Sequence, residues 1–145
     1  MTYWDTSALL KLYITEDDSA YFLQILSEQA EPILSSEIAA VEVLCALHRK
    51  EQAGDLIPGG ARAVFRQFLG DAGAGRIVTV PYGSDILAEA EKLVQLAFHR
   101  PRPVLIRSLD VIHVSSAAVS KAEAMVATDR RLREVASLVR MKVLP

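Results

Sequence analysis

One cysteine and one tryptophan occur in 145 residues, and aromatic side chains make up only 6% of the chain. A lone cysteine cannot close an internal disulfide, which predicts a reducing, cytoplasmic setting. No run without Asp, Glu, Lys or Arg exceeds ten residues (Val111 to Ser120), well below the ~20 a membrane helix needs. No basic start leads into an apolar stretch, because Asp5 arrives almost at once, so no secretion leader is expected. His48, His99 and His113 lack the spacing of zinc ligands. The glycines at 70, 73 and 75 follow a helical stretch and precede a strand, the reverse of a dinucleotide fingerprint. Cys45, set among Val43, Leu44, Ala46 and Leu47, reads as a buried thiol rather than a nucleophile. What remains is a soluble domain spanning residues 1–145 that needs no disulfide or metal staple to hold its core.

Hydrophobic residues make up 51% of the sequence and charged ones 23%, with a formal net charge of −2. That small total hides an asymmetry. Residues 1–98 carry 14 acids and 7 bases, whereas residues 99–145 carry 4 acids and 9 bases. A basic last third, including Arg100, Arg102, Arg107, Arg130 and Arg131, can meet a polyanion or simply be a solvated face.

Short apolar pieces alternate with helical spacing along the chain. Strands are expected at Thr2–Trp4, Pro32–Ser35, Arg76–Val80, Ala124–Ala127 and Met141–Leu144. Helices are expected at Ala8–Ile14, Ala20–Ser27, Glu37–Ala53, Arg62–Leu69, Ser84–His99, Ser108–Lys121 and Asp129–Ser137. This alternation, without two-residue hairpin signals, predicts βαβ units and a mostly parallel sheet in an α/β fold.

Four carboxylates stand where apolar patterning does not ask for them. Asp5 follows the first strand, at the end where parallel sheets bind ligands, though it also suits a helix cap. Glu42 is the only charge in Ile38–Leu47, a helical stretch that reads as apolar all round. A buried lone carboxylate is costly unless it is paired or bound to metal. Asp110 is the only formal charge from Leu109 to Ser120, and His113 follows one helical turn later. Asp129 ends another buried strand and also suits a cap.

If the four converge, each close pair repels by roughly 4 kcal/mol at an effective dielectric near 20. Such a cluster is tolerable at neutral pH only with cations present or some groups protonated. All-oxygen ligands favour Mg²⁺ or Mn²⁺, and a hard cation with open positions suits phosphodiester hydrolysis. The basic last third then has a purpose, drawing a nucleic-acid backbone to an acidic site.

Four segments, in order, resemble the motifs of the PIN-domain nucleases. Asp5-Thr6-Ser7-Ala8-Leu9-Leu10-Lys11-Leu12-Tyr13 resembles their opening, and Ser36 to Val43 their second motif, with its acid at Glu42. Ser108 to Ala117 is similar to the third, with its acid at Asp110, and Ala127-Thr128-Asp129-Arg130-Arg131-Leu132 to the closing one, with Asp129. The resemblance implies a Rossmann-like α/β/α sandwich and a Mg²⁺- or Mn²⁺-dependent endoribonuclease. It implies Asp5, Glu42, Asp110 and Asp129 as catalytic metal-binding residues, with hydroxyls of Ser7 and Thr128 in support. At this length it is most similar to VapC-type toxins of bacterial toxin–antitoxin pairs, which act on RNA, form homodimers and are neutralised by a small antitoxin. Some relatives carry further acids near the third and fourth motifs; Asp110 and Asp129 stand alone there, which weakens the case for a second metal.

Two other readings stay open on sequence. An aspartyl-phosphate phosphohydrolase would use Asp5 as nucleophile, but position 7, where a second acid is required, is Ser7. A non-catalytic receiver or scaffold would use the acids only as helix caps.

Overall fold

The computed structural model describes residues 1–145. In chain order the elements are β1 (Thr2–Trp4), α1 (Thr6–Leu10), α2 (Ser19–Ser27), β2 (Ile33–Ser36), α3 (Ala39–Ala53) and α4 (Gly60–Gly73). They continue with β3 (Ile77–Val80), α5 (Ser84–Phe98), α6 (Ser108–Val119), β4 (Ala124–Val126), α7 (Arg130–Leu138) and β5 (Val143–Leu144). The five strands form one sheet in the order β3-β2-β1-β4-β5, and every pairing is parallel.

Side chains of successive strand residues point to opposite faces of a sheet, and this alternation builds two cores. Trp4, Ile33 and Val126 turn to one face, where Ala8, Phe22, Val43, Leu47 and Phe68 of α1 to α4 cover them. Tyr3, Leu34 and Met125 turn to the other, under Leu93, Val114 and Leu132 of α5 to α7. The result is the α/β/α sandwich expected from the sequence. Central β1 is buried on both sides, and Ser35 Oγ donates to the Trp4 carbonyl at 2.8 Å, adding a side-chain bond between β1 and β2.

Several boundaries differ from the sequence reading, and packing explains the largest. Glycines 70 and 73 were expected to end a helix near Leu69, yet α4 runs on to Gly73. The intrinsic cost of glycine in a helix, about 1 kcal/mol each, is overridden by docking of Ala61 and Phe68 into the core. The first helix closes at Leu10 instead of Ile14. At the end of α3 the left-handed Gly54 (φ 86°) turns the chain, and Asp55 N–H closes on the Lys50 carbonyl at 2.9 Å.

The strand order puts a switch point beside β1. The chain steps outward from β1 to β2 and β3, then returns to the other side of β1 with β4. Between β1 and β4 the two crossovers diverge, and a crevice opens outside the carboxyl ends of the strands. Asp5 directly follows β1, and Asp129 caps α7 just after β4.

Candidate active site at the sheet's switch point

Local structure aims the first acid. Asp5 is extended (φ −76°, ψ 170°) as the N-cap of α1, and its Oδ1 accepts the Ala8 N–H at 2.9 Å. Ser7 Oγ donates to the same carboxyl group, 2.7–2.8 Å from its two oxygens. Ser7 Oγ also accepts the Thr128 N–H at 3.1 Å, which ties the β1 and β4 ends together. Asp5 is only 4% exposed. Burial pushes its carboxyl above the ordinary aspartate range, and the bonds from Ser7 and Ala8 offset only part of that.

Glu42 is held directly by Thr6 and His113, and through His113 by Tyr3. Its Oε2 accepts Thr6 Oγ1 at 2.7 Å and lies 2.6 Å from His113 Nε2, while His113 Nδ1 lies 2.7 Å from the Tyr3 hydroxyl. An ionised carboxylate only accepts hydrogen bonds, so Nε2 carries the hydrogen. In a neutral imidazole Nδ1 is then the acceptor and the Tyr3 hydroxyl the donor. Burial pushes Glu42 up, but the His113 imidazole, Thr6 and the Arg107 charge outweigh it and hold the group below the usual glutamate range. The helix around Glu42 is not apolar on all sides in effect. Ala39, Val43 and Leu47 are buried, while Val41 and Cys45 lie exposed on the cleft side. The expectation of a buried thiol at Cys45 is therefore corrected: a single helix face is enough to fill the core.

Asp110 sits in the first turn of α6, where the helix dipole favours an acid. It is 5% exposed and gripped by Arg107, with Nε 2.8 Å from Oδ2 and Nη2 2.9 Å from Oδ1. The same Nη2 reaches Asp129 Oδ2 at 2.7 Å. Asp129 also caps α7, its Oδ1 accepting the Arg131 N–H at 2.8 Å. Burial pushes Asp129 up, but Arg107 and the backbone N–H groups of Arg131 and Leu132 hold it below the usual aspartate range. The two carboxylates in turn hold the Arg107 guanidinium well above its ordinary range.

Asp5, Ser7, Glu42, Asp110 and Asp129 thus line one cleft of about 870 Å³, together with Arg49, Arg107 and His113. Thr128 is apart from them: its backbone bonds Ser7, and its side chain is not among those lining the cleft. Acids that serve as caps also face a common space, so the cap and ligand readings of Asp5 and Asp129 do not exclude each other. The donor set is all hard oxygen, which fits Mg²⁺ or Mn²⁺. In the arrangement described no three His, Cys, Asp or Glu side chains stand ready around one ion; the positive charge between Asp110 and Asp129 is Arg107 instead. Sequence reasoning missed this role of Arg107, and its spacing from Asp110 (i, i+3) was the available signal. It placed His113 only one helical turn after Asp110; nothing local marks its bond to Glu42, 71 positions away.

The sequence profile of the family described as "PIN domain" matches residues 2–138. The chain belongs to the PIN domain family. Among curated proteins this PIN chain is 35% identical over 137 residues to "Ribonuclease VapC47" of Mycobacterium tuberculosis (strain CDC 1551 / Oshkosh), covering 91% of this chain and 87% of that protein. Three solved structures share the fold. FitAcB from Neisseria gonorrhoeae aligns over 100% of this chain and 97% of its own, with a TM-score of 0.71 and 17% identity. VapBC2 from Rickettsia felis, solved on a DNA fragment from its promoter, aligns over 99% and 98%, with a TM-score of 0.69 and 16% identity. A toxin–antitoxin complex from Klebsiella pneumoniae gives 0.61 and 15%, over 89% and 87%.

In this PIN domain the geometry predicts that His113 orients Glu42. Replacing His113 with alanine is expected to lower RNA cleavage by about 10–100-fold, the usual cost of losing a partner that orients a functional side chain. His113→Gln, which keeps a donor, is expected to recover part of that loss in kcat/KM. Equal losses in both variants would refute the role.

Proposed function

We propose that this protein is a metal-dependent endoribonuclease, hydrolysing phosphodiester bonds in RNA as the toxin of a toxin–antitoxin pair. The observation that carries the proposal is the convergence of Asp5, Ser7, Glu42, Asp110 and Asp129 on one cleft at the switch point of the sheet. The ribonuclease name of the 35%-identical relative and the toxin–antitoxin complexes among the fold's neighbours support it. The proposal includes Mg²⁺ or Mn²⁺ as cofactor, a small antitoxin protein as partner, a homodimeric state and a cytoplasmic setting. No helix is long and apolar enough to cross a membrane. Residues 1–145 are proposed to act as one nuclease domain.

When bound, the ion polarises the phosphoryl oxygen and makes a water more acidic. Asp5, Glu42, Asp110 and Asp129 are the residues proposed to hold it. Ser7 fixes the Asp5 carboxyl group, and the His113–Tyr3 pair with Thr6 fixes Glu42. Arg49 and Arg107 place positive charge on the walls of the acidic cleft, where a phosphate backbone must approach. The test is cleavage of labelled RNA with Mn²⁺, with Mg²⁺ and with EDTA. Activity is expected with either ion and is lost in EDTA; cleavage that survives EDTA overturns the metal reading, and no cleavage with any ion overturns the nuclease reading.

A further inference from the structure

Arg107 is the cleft cation bonded directly to the proposed ligands. It precedes α6 and makes a fork on Asp110 (2.8 and 2.9 Å) plus a bond to Asp129 (2.7 Å). A bidentate guanidinium–carboxylate pair is among the strongest polar contacts a protein makes. Here it engages two of the four proposed metal ligands at once. A divalent ion takes carboxylate oxygens at about 2.0–2.6 Å, and two cations sharing one set of oxygens repel each other. The Arg107 side chain is 51% exposed, so it can leave the acids without unpacking the core.

We propose that Arg107 is an exchangeable internal cation: it holds Asp110 and Asp129 together in the ion-free protein, yields them to the divalent ion, and then binds the RNA phosphate. This rests on the metal-dependent reading above. In the bridged state the four acids are partly neutralised from within, which lets an acidic cleft fold without an ion. Binding is then competitive, and the apparent affinity for the ion is the intrinsic affinity multiplied by the fraction of molecules in which Arg107 has swung away. Once displaced, the guanidinium stands at the lip of the cleft with planar donors matched to a phosphate. Arg49 provides an internal comparison, because it carries the same charge in the same cleft but is not bonded to either acid.

The experiment is calorimetric titration of Mn²⁺ into the RNA-free protein, for the parent, Arg107→Gln and Arg49→Gln. Arg107→Gln is expected to bind Mn²⁺ tenfold or more tightly, and Arg49→Gln less than threefold. At saturating Mn²⁺ the KM for RNA is expected to rise about tenfold in Arg107→Gln. Opposite shifts in ion and substrate affinity are what an exchanging residue produces and a merely structural one does not. Unchanged or weaker Mn²⁺ binding in Arg107→Gln overturns the proposal, as does equal tightening in both variants, which would be a general field effect. An unchanged KM overturns the phosphate half. If Arg107→Gln does not fold, Arg107→Lys, which keeps the charge but loses the fork, is expected to tighten Mn²⁺ binding by a smaller factor; no change there also overturns it. A parent protein that takes up no Mn²⁺ at millimolar concentration would show that the metal-dependent reading itself has failed, whereas equal affinities among all the proteins sink only the exchange.

Discussion

Asp5→Asn is expected to reduce metal-dependent RNA cleavage by about 10³-fold while leaving the protein folded and, in EDTA, more stable than the parent. The activity loss follows from removing a charged, proposed ion ligand, where several kcal/mol of transition-state stabilisation are at stake and each ~1.36 kcal/mol is tenfold in rate. The stability gain has a separate origin. Burial raises the Asp5 carboxyl above its ordinary range, so the charged form is disfavoured in the folded protein. A raised acid adds stability that is complete below the unfolded value, near pH ~4, and lost as pH climbs through the folded value. The parent carries that loss at neutral pH and the asparagine variant does not. The substituted amide keeps an oxygen to accept the Ala8 N–H, so α1 stays capped. Thermal unfolding in EDTA at pH 7 and pH 4 is the measurement: the variant's advantage should be present at pH 7 and shrink toward pH 4. Full activity in Asp5→Asn, with sensitivity to EDTA unchanged, would remove Asp5 from the ligand set. Asp110→Asn is expected to match the activity loss, because it too removes a proposed ligand.

Trp4→Ala is expected to cost about 3–5 kcal/mol, enough to unfold a large share of molecules if total stability lies in the common range of about 5–15 kcal/mol. Trp4 is fully buried beneath α2, edge-on to Phe22 with ring centroids 6.3 Å apart. Its indole N–H donates to Thr2 Oγ1 at 3.0 Å, on the same face of β1. Removing the ring opens a cavity under the central strand, one residue before Asp5. Trp4→Phe retains most of the contact and should cost clearly less. Urea unfolding followed by circular dichroism, with the midpoint lowered at constant slope, is the appropriate readout because the only tryptophan is removed. A change below about 1 kcal/mol would mean that β1 is not the structural centre of the sheet.

Particular residues show how much the chain disclosed before it was folded. Tyr3 and Trp4 alternate between the two cores, as a strand's two-residue period requires, and the alternation of short strands with helices announced the parallel sheet. Asp5 and Asp129 were legible as acids at strand ends, and their positions remain the same whether each is read as a cap or a ligand. Cys45 was misread because a helix with many apolar residues needs to bury only one face, and the sequence does not say which. The extent of α4 was underestimated because packing at Ala61 and Phe68 outweighs local glycine penalties.

Local periodicity and strand composition determined the fold class, and the order of four acidic segments singled out Asp5, Glu42, Asp110 and Asp129, which the fold brings to one cleft. Each of those signals is carried by a short stretch of chain, where backbone geometry and burial pattern act directly. The tertiary structure alone decided that Arg107 bridges Asp110 to Asp129, and that His113 reaches Glu42 and Tyr3 across 71 and 110 positions. Such bonds depend on how helices dock over the sheet, a property of the summed core packing that no short stretch of sequence carries.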